Sequence, residues 1–328
     1  FFAILGPLSY KSAISSLKEQ AQNHLISVRE IKKGQIESYF SERKGDVCVL
    51  SKSPLIVEGL PKFIETFHSR GPTSPEYKQI EDTYGNELAY YVKQYGYHDL
   101  ILTDTDGDIV FAAENKAYLG INVTQGGMEG SNIVQAFKAG MLRIELTDFA
   151  YYEPFNELTA FISAPVRDKA GKTIGVLIFQ IPFRQVDRIM SERAGLGETG
   201  ETYLVGEDML MRSNSRFTTE VSALKLQVDT EAARDAMEGN DGVKIIRDYR
   251  NIPVLSAYGI INIENFFWAI LCEIDASEAF KPAIRLRRWA LLIGGSIIGG
   301  IAIYGYLIYR RFTNELTSQD SSLRTQDS

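Results

Sequence analysis

The chain has 328 residues, a formal net charge of −7 and 45% hydrophobic residues. An acidic balance argues against nucleic acid as a partner, because a phosphate backbone demands clustered Lys and Arg. Two cysteines, Cys48 and Cys272, and three histidines, His24, His68 and His98, show none of the short spacings of a zinc or redox motif.

Residues 1–8, FFAILGPL, read as the last turns of an apolar membrane segment, with the remainder of a signal sequence as the alternative. Residues 9–55 read as one long helix. Ile14, Leu17, Ala21, Leu25, Val28, Ile31, Ile36 and Phe40 recur at nearly three-four spacing, which marks one apolar face. Lys32, Lys33, Glu37, Glu42, Arg43 and Lys44 are expected on the opposite, solvated face. A helix of ~45 residues is ~65 Å long, more than one compact domain needs, so it is expected to act as a stalk.

Two strand-rich modules follow, over 56–185 and 186–275. In the first, residues 98–113 predict a hairpin turning at Asp106-Gly107. A short helix is expected at 130–139, then strands at 158–166 and 173–182, and a helix over FRQVDRIMSER. The second module repeats the order: a hairpin over 201–213, a helix at 229–237, then VKIIRDYR, IPVLSAYGI and FFWAILCEID as strands. One α+β unit is therefore duplicated.

The segment from 276 to 311 is expected to leave the last strand as one helix. Within it, residues 290–309 carry no charge and suffice to cross a ~30 Å hydrocarbon core at ~1.5 Å per residue. Trp289 and Tyr309 suit the interfaces, and Arg285, Arg287, Arg288, Arg310 and Arg311 flank both ends, so the charge bias leaves orientation open. Residues 312–328 are polar, without an apolar face, and read as a truncated cytoplasmic tail.

No nucleophile elbow or Walker loop is present, and GLGETGE (195–201) precedes a strand rather than a helix. The acids around Asp104 and Asp106 read as turn formers before metal ligands. The best site candidate is TDFAYYEPF, residues 147–155, which clusters Asp148, Tyr151, Tyr152 and Phe155 between sheet elements. Aromatics with a few convergent polar groups suit a small-molecule cavity; edge packing of the same aromatics is the competing reading. Alternation along the following strand puts Phe161 and Ser163 on one face.

Taken together, IKKGQIESYFSERKGDVCVLSKSP, LILTDTDGDIVF, LTDFAYYEPFNELTAFISAPVRDKAGKTIGVLIFQIP and GLGETGETYLVGEDMLMRSNSR resemble the double Cache sensor domains of bacterial transmembrane receptors, over about residues 10–280. The resemblance implies an α+β fold: a long stalk helix carrying two PAS-like modules with antiparallel sheets, followed by a transmembrane helix. It implies a ligand pocket in the first, membrane-distal module, fed by the loop before the inner hairpin and the end of the strand GVLIFQIP. Family members that sense amino acids carry Arg-x-Trp-Tyr on the short helix and an Asp near the end of that strand. Here the helix region reads GGMEGSNIVQAF and Gln180 stands at the Asp position, so both charged grips are missing. Ser131, Asn132 and Gln180 are neutral donors and acceptors that suit a neutral or carboxylate-bearing molecule, with Asp148 available for a cation. The expected site is therefore Ser131, Asn132, Asp148, Tyr151, Tyr152, Phe161 and Gln180. The implied function is small-molecule sensing without catalysis, cofactor or metal. Residues 10–280 are expected outside the cytoplasm at a bacterial inner membrane, in a homodimer that signals to a separate cytoplasmic module. A membrane-anchored periplasmic hydrolase and a structural, partner-binding module are the alternatives.

Overall fold

The computed structural model describes residues 2–125, 130–152 and 157–324. It falls into two compact units, one of residues 24–275 and one of residues 1–23 with 276–328.

Helix α1 runs Phe2–Leu50. Within the larger unit it buries Leu25, Val28, Ile36, Phe40, Val47 and Leu50, while Ile31, expected on the same stripe, is 61% exposed. The expected solvated face also needs correction, because Lys32 and Arg43 are buried, as is Arg29. The reason lies in helix ends elsewhere, which leave carbonyls without intrahelical partners. Arg43 Nη1 donates to the carbonyl of Tyr95 at 2.9 Å, and its guanidinium lies over the rings of Tyr39 and Tyr97. Lys32 donates to the carbonyl of Ile189, and burial lowers the pKa of its amine. Each cation thus closes the C-terminal end of a helix packed on α1.

The hairpin reading passes over residues 54–95, which form three helices. Helix α2 (Pro54–Arg70) starts on a Ser53 cap and a first-turn proline. Helix α3 (Pro75–Ile80) starts the same way on Ser74, and a π turn at Glu81–Gly85 joins it to α4 (Asn86–Tyr95), whose last carbonyl Arg43 caps.

The first sheet contains β1 (Asp99–Thr103), β2 (Ile109–Ala112), β3 (Glu145–Leu146), β4 (Ala150–Tyr152), β5 (Glu157–Arg167) and β6 (Thr173–Pro182). Its order is β2-β1-β6-β5-β3, with β4 also on β5, and every pairing is antiparallel. Part of the segment read as a loop is therefore the edge strand β4. Helix α5 (Asn132–Gly140) covers one face. It packs closely: a Cβ on Gly140 would lie 2.6 Å from Ser163 Oγ. Helix α6 (Phe183–Ser191) follows β6, and Lys32 caps its last turn.

The second sheet contains β7 (Glu201–Val205), β8 (Gly242–Arg247), β9 (Pro253–Ile263) and β10 (Phe266–Asp275), with α7 (Glu231–Met237) on one face. Its antiparallel order is β7-β10-β9-β8. The path β1-β6-β5-β3 of the first sheet has the same connectivity, so the duplication read from the sequence is real in topology. Both sheets turn their other face to α1. Ile162, Leu177 and Phe179 of the first sheet share one core with Ile36 and Phe40 of α1 and with Leu204, Ile261, Trp268 and Ile270 of the second.

In the smaller unit, the single helix expected after β10 is broken at Phe280 into α8 (Ala276–Ala279) and α9 (Lys281–Arg324). Lys281–Arg311 is long and apolar enough to cross a membrane, and no part of its apolar window is buried. The helix continues through the polar segment read as a tail, as far as Arg324.

Candidate functional site

Alternation decides which side chains of the first sheet face α5. Ile101, Phe161, Val176 and Ile178 form a core with Ile133, Ala136 and Phe137 of α5. Ser163 points the same way and donates to the carbonyl of Ala136 at 2.6 Å. Gln180 lies two residues beyond Ile178 on β6 and so belongs to this face; it is fully buried.

A buried amide needs partners for both ends. Gln180 Nε2 donates to Glu157 Oε1 at 2.9 Å, and the Tyr118 hydroxyl reaches Gln180 Oε1 at 3.4 Å. His98 Nδ1 lies 3.2 Å from the same Glu157 oxygen. Tyr118 and Tyr152 are coupled through their hydroxyls, and burial pushes Tyr152 up to about 12 and raises Tyr118 further. The Tyr152 ring meets Phe161 edge-on at 5.5 Å. On the other side, Asn132 at the start of α5 donates to the carbonyl of Thr159 at 2.8 Å, while its Oδ1 is buried without a partner among the described residues. Ser131 occupies the cap position of that helix.

Five of the seven expected residues therefore gather on or at the edge of one face: Ser131, Asn132, Tyr152, Phe161 and Gln180. Two do not. The Tyr151 side chain is 52% exposed, because strand alternation turns it away from Tyr152. Asp148 faces the second sheet: its Oδ2 accepts from Arg212 Nε at 2.9 Å and its Oδ1 from Trp268 Nε1 at 3.1 Å. Arg212 also pairs with Asp208 at 2.8 Å. Burial pushes the Asp148 carboxyl up despite these partners. Nearby, Asn265 Nδ2 donates to Glu145 Oε1 at 2.7 Å, a second polar tie between the sheets. Asp148 is thus a junction residue. Phe155 lies outside the described residues.

The sequence reading missed Tyr118, Glu157 and Asp99. Asp99 is fully buried and accepts from the backbone amides of Leu100, Glu114 and Asn115, which fixes the turn that carries Tyr118. No spacing marks Tyr118 beforehand. Gln180 pairs with Phe161, and Glu157 opens β5 four residues before that partner on the same face, so correct pairing of β5 with β6 would have placed it on this side of the sheet. At the hairpin, Asp104 Oδ1 accepts from the amides of Asp106 and Asp108, the turn role expected of it. Its Oδ2 sits 2.9 Å from His68 Nε2, which no spacing in the chain suggested.

Sheet order, stalk helix and duplicated unit are now in view, and comparison with known proteins decides the family. The Cache domain family model matches residues 9–283. The chain belongs to the Cache domain family. No curated protein sequence matches it. Similar solved structures include the sensory domain of the Campylobacter jejuni chemoreceptor Tlp3, at 15% identity and TM-score 0.57, covering 81% of this chain and 98% of that one. The ligand-binding domain of the Pseudomonas fluorescens chemoreceptor CtaA, with L-leucine bound, is 13% identical at TM-score 0.52, covering 81% and 99%. That of the Pseudomonas aeruginosa PAO1 amino acid chemoreceptor PctB, with L-arginine bound, is 16% identical at TM-score 0.50, covering 80% and 98%. At these identities the likeness is one of fold.

In this Cache chain, breaking the Asp148–Arg212 tie strands a buried guanidinium, since Arg212 is only 6% exposed at its side chain. Asp148→Ala is expected to cost about 2–3 kcal/mol, below the value for a fully buried pair because Asp208 still serves Arg212. In chemical denaturation, Asp148→Ala and Arg212→Ala should be non-additive by about 1 kcal/mol or more. Full additivity would show that the junction carries no pairwise energy.

Proposed function

We propose that the chain is the extracytoplasmic sensor part of a bacterial transmembrane receptor, and that the first sheet is its membrane-distal, ligand-binding module. The observation that carries this reading is the α5-facing side of that sheet. There a polar group of Gln180, Tyr118, Tyr152 and Glu157 and an unsatisfied Asn132 Oδ1 are set into an otherwise apolar face. A few convergent polar groups in apolar surroundings orient a small ligand. Glu157 supplies, beside Gln180, the carboxylate that strand-end reading found missing, so a ligand bearing an amine regains a partner. Amino acids are the first class to test, and the amino acids bound by the CtaA and PctB domains support that choice. Tyr152 and Asp148 lie on one short segment, so ligand contact at Tyr152 acts close to the tie with the second sheet. Sensing is then a shift between two populations, limited by the ligand's differential affinity.

A ligand at 100 times its dissociation constant should stabilise the protein by ~2.7 kcal/mol. Tyr152→Ala is unsuited to test this: the ring is fully buried against Phe161, and its loss would cost ~3–5 kcal/mol of packing. Tyr118→Phe and Tyr152→Phe keep the rings and should each weaken binding by about tenfold in calorimetric titrations with L-leucine, L-serine and L-arginine. Unchanged affinity in both variants would place the ligand elsewhere.

Membrane placement of residues 290–309 is supported by the unburied apolar stretch of α9, and a place outside the cytoplasm for residues 10–280 by the Cache family match. With Cys48 and Cys272 replaced, a cysteine at exposed Lys225 should react with an impermeant thiol reagent in intact spheroplasts. Protection there with labelling at Ser318 would reverse the orientation.

A homodimer through α1 is supported by an exposed row at three-four spacing, Ile31, Gly34, Ser38, Ser41 and Gly45, continued by Val49. Small residues let two such helices approach, and Ile31 and Val49 supply the apolar ends. In a Cys48→Ser background, Ser38→Cys should cross-link two chains on mild oxidation, whereas Glu58→Cys off this row should not. Equal cross-linking at both positions would remove the seam.

A further inference from the structure

The strands of the second sheet are mostly apolar, yet their α7-facing side carries a buried acidic pair. Glu201 and Glu273 stand directly opposite each other on β7 and β10 and are 5% and 3% exposed. Tyr203 donates to Glu273 Oε2 at 2.9 Å, and Tyr249 donates to Glu201 Oε2 at 2.6 Å. The amide of Arg216 takes Glu201 Oε1 at 2.7 Å. Among the described residues neither carboxylate is in a salt bridge; Arg250, on the next loop, is spent on Asp248 and Asp275. The helix facing them offers Ala232, Ala233 and Ala236. Among the described residues Glu273 Oε1 finds no aligned hydrogen bond, and the hydroxyl of Ser256, its fully buried cross-strand neighbour on β9, reaches only the Glu273 carboxyl. Burial pushes the Glu273 carboxyl up to about 7, with Asp248 and Glu201 adding to the rise and the hydroxyls of Ser256 and Tyr203 opposing it.

Like charges directly opposite in a sheet repel, and a buried pair calls for a proton or a cation. The position is informative. Glu273 is the eighth residue of β10 and Gln180 the eighth of β6, so the duplicated unit presents a polar group at the same place twice, neutral once and acidic once. We propose that the α7-facing side of the second sheet holds a second ligand site, for the primary ammonium group of a small organic amine. Three of the four carboxylate oxygens already accept hydrogen bonds. What remains is one carboxylate oxygen and the hydroxyl that reaches it, too few oxygens for Ca²⁺ or Mg²⁺ but suited to the N–H donors and the charge of an ammonium. The site is independent of the one on the first sheet.

The test is calorimetric titration of the whole chain in detergent with methylamine, ethylamine, ethanolamine and butylamine, below and above neutrality. At least one should bind, and it should bind more tightly above neutrality, because the ammonium competes with the proton on Glu273. Glu273→Gln should abolish this binding, Ser256→Ala should weaken it, and Tyr152→Phe should leave it unchanged. The melting temperature gives the sign of the linkage without amine. An acid raised from its unfolded value of ~4.3 to about 7 costs nothing below the lower value, and its cost is complete above the higher one. Wild type should therefore lose stability relative to Glu273→Gln as pH rises between those values, and the bound amine should restore it. Failure of all four amines to bind, in a chain showing that pH-dependent melting, would reduce the site to a buried proton and overturn the proposal. So would binding that survives both Glu273→Gln and Ser256→Ala.

Discussion

The apolar stripe of α1 between Leu25 and Leu50 is the constraint on which the larger unit depends. Two sheets, each apolar on both faces, must cover four faces, and both give one face to this same helix. Phe40 shows the consequence at a single side chain. Its ring meets Trp268 of the second sheet edge-on at 5.6 Å while sharing a core with Ile162 and Phe179 of the first. The faces left over are covered by α5 and α7, and polar groups enter there. The α1 side is a continuous apolar core whose buried polar groups, Lys32, Arg43 and the Asp148–Arg212 pair, are spent on helix ends and on the junction between the sheets.

The cations of α1 illustrate how a long helix accommodates shorter ones. A helix end leaves carbonyls unpaired, and in a buried setting each unpaired carbonyl is costly. Arg43 and Lys32 meet those carbonyls from the side, their stems lying along apolar surface. Their burial is therefore a packing device, and it also orients α4 and α6 on the stalk.

The junction around Asp148 links the proposed site to the architecture. Tyr152 faces the polar group on the first sheet, and four residues earlier Asp148 holds Arg212 and Trp268. A segment that is both the wall of one module and the anchor of the next cannot move at one end without loading the other. An ion pair with one buried partner suits this, because it is stable when formed and strongly penalised when half broken.

Periodicity and local chemistry were enough to determine the long helix, the uncharged apolar helix over 290–309, the hairpin strands and their duplication, since each depends on neighbours within a few residues. The same local signals placed Phe161 and Gln180 on strands and Asn132 at a helix start, but left Tyr152 in a loop where the structure has the edge strand β4. What they could not decide was partnership. Lys32 and Arg43 looked solvated because charge predicts exposure, and only the arrival of two helix ends made burial favourable. Asp148 and Tyr151 looked like pocket residues because they adjoin Tyr152 in sequence. A strand three residues long then turned one outward, and a guanidinium 64 residues away claimed the other. Tyr118 arrives on a turn that the buried Asp99 holds, and the pairing of Glu201 with Glu273 exists only through strand register, a long-range choice made by burying whole faces.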